Sequence, residues 1–393
     1  MKIGILTYHS VCNFGANLQA LSTYSYLKNN GFKAIFINWL PTDLENLYKK
    51  NVNPLQYTCH QEFVKNFLPT TELCRNTFDI KRVIKKEGIK AVVIGSDAVF
   101  SYIPFLKRIH PSRKTLIGIT KVSTDHKFPN PFWGEFKKSN DDIKIFAMSA
   151  SAQFFDFNKC LPLTKVAIKK ALSKFSIITA RDRWTQRIIS NLSNQNIEIT
   201  PDPVFAFNQN VTCQYDKDEI ISKYNLPNKY VIFSFCKQLY DKKWYSELYR
   251  SFQKEGFEIV NLTMPEGCLD IPCDIKIATP LSPLEWYGII KYSSGYVGQR
   301  MHPMIVAFHN IVPFYIFDHY AYKKGVLSSS KIYDLLERAD FLSNYFNIKE
   351  GRIPSPNTIL HQITNFDKEK AIDFNKLYYS LYQTMMQNIT NLL

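Results

Sequence analysis

An arginine and a histidine stand two apart at Arg300 and His302, within GQRMHPMIVAFHN (298–310), and the pairing suits an anion. A guanidinium presents a planar fork that matches carboxylate or phosphate. Imidazole titrates near neutral pH and can carry a proton. Pro303 fixes its own φ and disfavours helix for the residue before it. The pattern predicts His302 as an N-cap, Pro303 as the first helical residue and an apolar helix beyond. A helix start adds unpaired N–H groups and partial positive charge. After the next apolar run, YIFDHYAYKKG (315–325) supplies Asp318, His319, Lys323 and Lys324; its lysines are expected to reach back toward that helix start.

Other candidates also follow strand-like runs. In HSVCNFGANLQ (9–19), Gly15 permits close backbone approach, and Asn13 and Asn17 offer donors beside a helix start. His9 reads equally as a satisfied buried histidine or as an acid or base. Asp97, in GSDAVF (95–100), suits a helix cap or a base for a substrate hydroxyl. Arg181, in TARDRWTQRII (179–189), stands at a strand end, with Asp182 as a cap for the next helix. Arginine, histidine, lysine and a helix terminus in one cleft would suit a small ligand with several negative charges. Phosphoenolpyruvate and a nucleotide diphosphate both fit that description. The Gly15 loop is not GxGxxG and lacks the later acidic residue of a dinucleotide site, so NAD is disfavoured.

The elements that must position these residues alternate strand and helix. Six β-rich runs occupy the first half: KIGILTY, KAIFINW, KAVVIGS, KIFAMSAS, FSIITAR and IEITPDPVF. Several are nearly continuous apolar runs, as parallel strands buried on both faces require. Between the first two, Leu18, Leu21, Tyr24 and Leu27 keep helical spacing and Gly31 marks a stop. After a proline- and asparagine-rich crossing at 201–216, five further runs follow, from KYVIFSF to IVPFYIF. The fold class expected is α/β, two Rossmann-like doubly wound domains. The division expected is 1–205 for an N-terminal domain, 206–345 for a C-terminal domain and 346–393 for a helical tail packed on the body. Residues 100–135 fit neither half and read as an insertion. In the tail, Phe374, Leu377, Tyr378, Leu381, Met385 and Ile389 mark the buried stripe.

Composition narrows the function classes. The 393 residues are 45% hydrophobic and 21% charged, which describes a globular chain with real cores. No run approaches the roughly 20 apolar residues of a membrane span, and the start lacks the features of a signal peptide, so a cytoplasmic protein is expected. With 49 Lys and Arg against 34 Asp and Glu, the formal charge is +15. That field favours phosphorylated small molecules or peripheral contact with an anionic membrane. No nucleic-acid-binding signature accompanies it, which excludes nucleic acid as the expected partner. The eight cysteines lack CxxC spacing, so no metal is expected and the thiols read as reduced.

At these residues the chain resembles the polysaccharide pyruvyl transferase family. The resemblance runs to about residue 345. It is carried by KIGILTYHSVCNFGANLQALSTYSYLKNNGF, VVIGSDAVF, FAMSASAQF, IITARDRWTQRII, PDPVF and GQRMHPMIVAFHNIVPFYIFDHYAYKKG. It implies a GT-B-like architecture, with the acceptor on the N-terminal side and the donor on the C-terminal side. It implies transfer of the enolpyruvyl group of phosphoenolpyruvate onto two hydroxyls of a sugar, free or lipid-linked, as a cyclic ketal. Arg300 and His302 would contact the donor, with Arg181 and one of Lys323 or Lys324 assisting. His302 would act as general acid and Asp97 as base for the sugar hydroxyl. His9, Asn13, Gly15 and Asn17 would face the acceptor. Phosphoenolpyruvate is then a co-substrate, and no cofactor is implied. Two features depart from the family pattern: the long 100–135 segment and Pro303, where a small residue is usual. A nucleotide-sugar glycosyltransferase of similar architecture and a non-catalytic glycan-binding relative are the competing readings.

Overall fold

The computed structural model describes residues 1–112, 116–138, 141–153, 155–193, 195–319, 330–349 and 351–393. The first half contributes strands β1 (Lys2–Leu6), β2 (Lys33–Phe36), β3 (Ile89–Asp97), β4 (Ile109–Ser112), β5 (Leu116–Ile119), β6 (Lys144–Ala150), β7 (Ile177–Ala180) and β8 (Glu198–Ile199). Six of them form a parallel sheet in the order β2-β1-β3-β6-β7-β8, while β4 and β5 make a separate antiparallel hairpin. The second half adds β9 (Tyr230–Ser234), β10 (Glu258–Leu262), β11 (Ile275–Ile277), β12 (Gly295–Gln299), β13 (Phe314–Asp318) and β14 (Tyr345–Asn347). Their parallel sheet runs β11-β10-β9-β12-β13-β14. Both orders reverse direction once, at β1/β3 and at β9/β12. Such a switch point opens a crevice beyond the carboxyl ends of the strands.

The eleven runs read from the sequence are all strands. The hairpin and β14 carried no such signal: β14 is three residues long and half-exposed at its start, and β4–β5 presents Ile109, Ile117 and Ile119 outward. The helix after β1 spans Phe14–Asn29, capped by the Asn13 side chain on the Ala16 N–H and followed by Gly31 at φ +81°. That positive φ is why glycine stands there.

Among the described residues, three large apolar cores and a small fourth one around Val11, Ala16, Leu40 and Leu44 hold the molecule. One fills the outer face of the first sheet and another the outer face of the second. The largest lies between them and joins Phe14, Leu18, Trp286, Met304, Phe308 and the C-terminal helix Lys368–Asn391. That helix bridges the halves: Phe374 stacks on Phe308, while Ser149 reaches Met385 Sδ at 3.2 Å. Its buried stripe is Phe374, Tyr378, Tyr382, Met385, Met386 and Ile389, whereas Leu377 and Leu381 point to solvent. Tyr382 and Met386 therefore replace two of the expected positions. The reason is geometric: at about 100° per residue the buried positions fall on one arc centred near 378 and 389, and 377 and 381 lie beyond its edge.

Candidate functional site

A cavity of about 1300 Å³, counting the part open to solvent, lies between the carboxyl ends of the two sheets. The first half lines it with Tyr8, Asn13, Asp97, Asp125 and His126, and the second with Glu266, Arg300, His302, Asp318 and Lys331. Nearly all of these follow a strand, where the crevice of a doubly wound sheet must open.

Arg300 follows β12 directly and starts the helix Met301–His309. The N-cap is therefore Arg300, with His302 the second helical residue and Pro303 the third. The expected cap at His302 is corrected by two residues. Proline is tolerated at the third helical position because the first four N–H groups have no intrahelical acceptor anyway. Arg300 has φ +80° and ψ 144°, and Asp97 at the end of β3 has φ +77°. Non-glycine residues held there cost about 1–3 kcal/mol each, and such strain clusters at functional positions. Asn225 and Asp340, by contrast, take positive φ as ordinary helix C-caps. The Arg300 guanidinium pairs with Glu266 and is the most exposed of the site's cations.

His302 is held against the first half by Gly15. A Cβ on Gly15 would fall 2.0 Å from His302 Cγ and 2.4 Å from its Cβ. Rotating the ring would not relieve the second contact, so only glycine allows this approach. Gly15 thus serves as a plate for His302. Behind the imidazole, Nε2 lies 3.7 Å from Asp202 Oδ2. Asp202 is clamped by the Gln19 amide at 2.5 Å, Arg181 Nη1 at 2.6 Å and the Val204 N–H at 3.0 Å. Arg181 Nη2 also reaches Asp97 Oδ1 at 3.2 Å. A buried row thus runs Asp97, Arg181, Asp202, His302. Burial alone would raise the Asp202 carboxyl, but His302 and Arg181 outweigh it and hold it well below the usual range. The same balance, with Arg181 and Lys331 as the opposing cations, lowers Asp97. Asp97 accepts from its neighbour's N–H, Ala98, at 2.8 Å and caps no helix.

Lys331 opens the helix Lys331–Ala339 after the Ser330 cap. Its ammonium lies 3.9 Å from Asp97 and 3.4 Å from the Gln153 side chain. Burial, reinforced by Arg181, pushes its pKa down to about 8 despite Asp97. This residue was not singled out from sequence, although one signal was present. A lysine in the first turn of a helix opposes the helix dipole, a local misfit that needs a reason. Asp125 and His126 were also missed, because they lie in the segment read as an insertion; Asp125 accepts from Tyr8 at 2.9 Å. Asp202 was visible only as part of a Pro-Asp-Pro turn.

Among the expected residues, Arg300, His302, Asp97 and Asn13 meet at the cavity, and Gly15 supports it from beneath His302. Arg181 lies one side chain behind the wall, buried between two carboxylates. His9 and Asn17 are fully buried and do not line the cavity. His9 contacts the Thr7 carbonyl, and burial lowers its pKa to about 4. Lys323 and Lys324 lie outside the described residues. Among the described residues, no group of three or more His, Cys, Asp or Glu could hold a metal ion. No helix among them is long and apolar enough to cross a membrane.

Two doubly wound sheets around a shared cleft define the GT-B-like class. Similar solved structures include the spinosyn forosaminyltransferase SpnP, with TM-score 0.53 and 10% identity, covering 100% of this chain and 99% of that one. Another is the UDP-GlcNAc 2-epimerase of Methanocaldococcus jannaschii, with TM-score 0.51, 11% identity and coverage of 95% and 91%. Identities this low speak for the fold alone. The model of the polysaccharide pyruvyl transferase family matches residues 13–320, and the chain belongs to that family. No curated protein matches the chain.

Proposed function

We propose that this protein transfers the enolpyruvyl group of phosphoenolpyruvate onto two hydroxyls of a polysaccharide-related sugar, forming a cyclic ketal and releasing phosphate. The observation that carries the reading is the convergence of Arg300, His302 and Lys331 on one cavity wall, facing Asp97. Arg300, Lys331 and the N–H groups opening Met301–His309 form a cradle for a compact ligand bearing both carboxylate and phosphate. His302 donates a proton to the methylene carbon, and positive charge develops at the central carbon. A sugar hydroxyl attacks that carbon and gives its proton to Asp97. The phosphate then leaves, stabilised by the cations and taking up the proton held by Asp97, and the second hydroxyl closes the ring and returns its proton to His302. Asp202 and Gly15 are positioning residues: one faces the imidazole from behind, the other sets how closely it approaches. Arg181 neutralises Asp97 and Asp202 and keeps both carboxylates in place.

A thermal-shift screen tests the donor without needing an acceptor. Phosphoenolpyruvate is expected to raise the melting temperature, by about 2.7 kcal/mol of stabilisation at a hundredfold excess over its Kd, while UDP-sugars leave it unchanged. A shift with a UDP-sugar and none with phosphoenolpyruvate would overturn the reading in favour of glycosyl transfer.

A further inference from the structure

The exposed apolar side chains of this protein are not evenly spread. In the hairpin, Ile109 pairs with Ile119 and Pro111 with Ile117. Directly opposed residues share a face, so one face of the hairpin is entirely aliphatic and proline. Ile109, Ile117 and Ile119 are 39%, 63% and 51% exposed. On the opposite face His110, itself exposed, lies so close to Gly118 that a Cβ there would meet its ring at 2.4 Å. Phe105 and Leu106, just before the hairpin, are exposed as well.

A second element continues this surface. The short helix Phe105–Arg108 contacts the turn Phe157–Lys159, and the helix Pro162–Leu172 follows that turn. This helix buries Ile168, Ala171 and Leu172 and turns Leu163 and Val166 outward, at 85% and 67% exposure, with Leu161 beside them. A helix with apolar residues on both sides has a second face to cover.

Charge says what covers it. Residues 98–124 contain no Asp or Glu and include Lys107, Arg108 and Lys121; residues 157–181 contain none either and include Lys159, Lys165, Lys169 and Lys170. Protruding aliphatic side chains ringed by cations, without a carboxylate in either stretch, complement an anionic lipid surface. Nucleic acid would not reward bare isoleucine and leucine.

We infer that the hairpin and the outward face of Pro162–Leu172 form a membrane-docking surface for anionic lipid bilayers. The chain leaving β5 supplies the cavity wall from Ser123 onward, and the intervening residues span at most about 14 Å. Docking there holds the cavity near the bilayer, where a sugar carried on a lipid would present its hydroxyls. This placement stands whatever the donor is, and its test needs neither donor nor acceptor.

The full chain is sedimented with vesicles of phosphatidylcholine alone and of phosphatidylcholine mixed with phosphatidylglycerol. Binding is expected with the mixed vesicles only, weakening as salt rises. Ile117→Asp combined with Leu163→Asp should weaken it more than tenfold with an unchanged melting temperature, since both positions are exposed. Replacing Lys165 by glutamine should weaken binding roughly fivefold. Leu377→Asp, exposed on the C-terminal helix, should have no effect. Failure to bind the mixed vesicles, equal binding to both kinds, or full binding by the double variant would overturn the assignment. A self-association abolished by the double variant, without vesicle binding, would give the surface to a second copy of the chain and overturn it too.

Discussion

The first half brings carboxylates to the cavity, with Asp97 and Asp125 at the wall and Asp202 behind it, and its strand-end Arg181 is consumed by Asp97 and Asp202. The second sheet brings Arg300, His302 and Lys331. The two topologies are close relatives, yet among the described residues only the second half lines the cavity with Lys or Arg, set beside its own Glu266 and Asp318. In our reading this divides the labour, with the anionic donor on the second half and the proton-accepting side on the first. The halves are tied where the difference matters most: His302 belongs to the second half but rests on Gly15 and faces Asp202 of the first.

Removing the shared histidine should break that division most severely. His302→Ala is expected to slow phosphate release from phosphoenolpyruvate plus acceptor by about a hundredfold or more, the usual worth of general acid–base help. Its melting temperature should stay near that of the parent, and undiminished turnover would strike His302 from the mechanism. Gly15→Ala attacks the same contact from the other side. Alanine would gain about 1 kcal/mol of helix propensity, but forcing a methyl into a close contact costs about 1–3 kcal/mol. Urea unfolding should find net destabilisation, and turnover should fall at least tenfold because the imidazole is displaced. Wild-type turnover in this variant would mean that His302 does not need its seat.

The smallest effect sharpens the comparison by pH. Lys331 has its pKa lowered from 10.5 to about 8 in the folded protein. Its charged form holds the donor, so kcat/KM should fall as pH rises through about 8. Lys331→Arg, charged throughout, should move that limb upward. Stability runs the other way. Between about pH 8 and 10.5 the unfolded chain keeps a proton that the folded chain has released, so this group's contribution rises with pH. Relative to Lys331→Met, the parent should therefore gain stability over that window while losing activity. A limb that stays in place in Lys331→Arg would remove Lys331 from donor binding.

Much of the fold was legible because buried parallel strands must be continuous apolar runs, and eleven of them stand out in the chain. β14 and the hairpin were not, since three residues carry no period and an outward apolar face mimics no known core. Within the site, Arg300, His302, Asp97 and Asn13 were legible from their place after strands. Lys331 was hidden because it opens a helix and does not directly follow a strand-like run, and Asp125 and His126 by the irregular segment around them.

Composition and period, by themselves, determined two doubly wound halves and a set of polar residues at strand ends, because those follow from local geometry repeated along the chain. Which of these residues meet was decided only by the tertiary structure. Gly15 became a seat for His302, Arg181 a buried counter-ion and His9 a core residue through packing between separate segments of the chain. Spacing along a sequence records which way a side chain points from its own element, but not what the opposite element places in front of it.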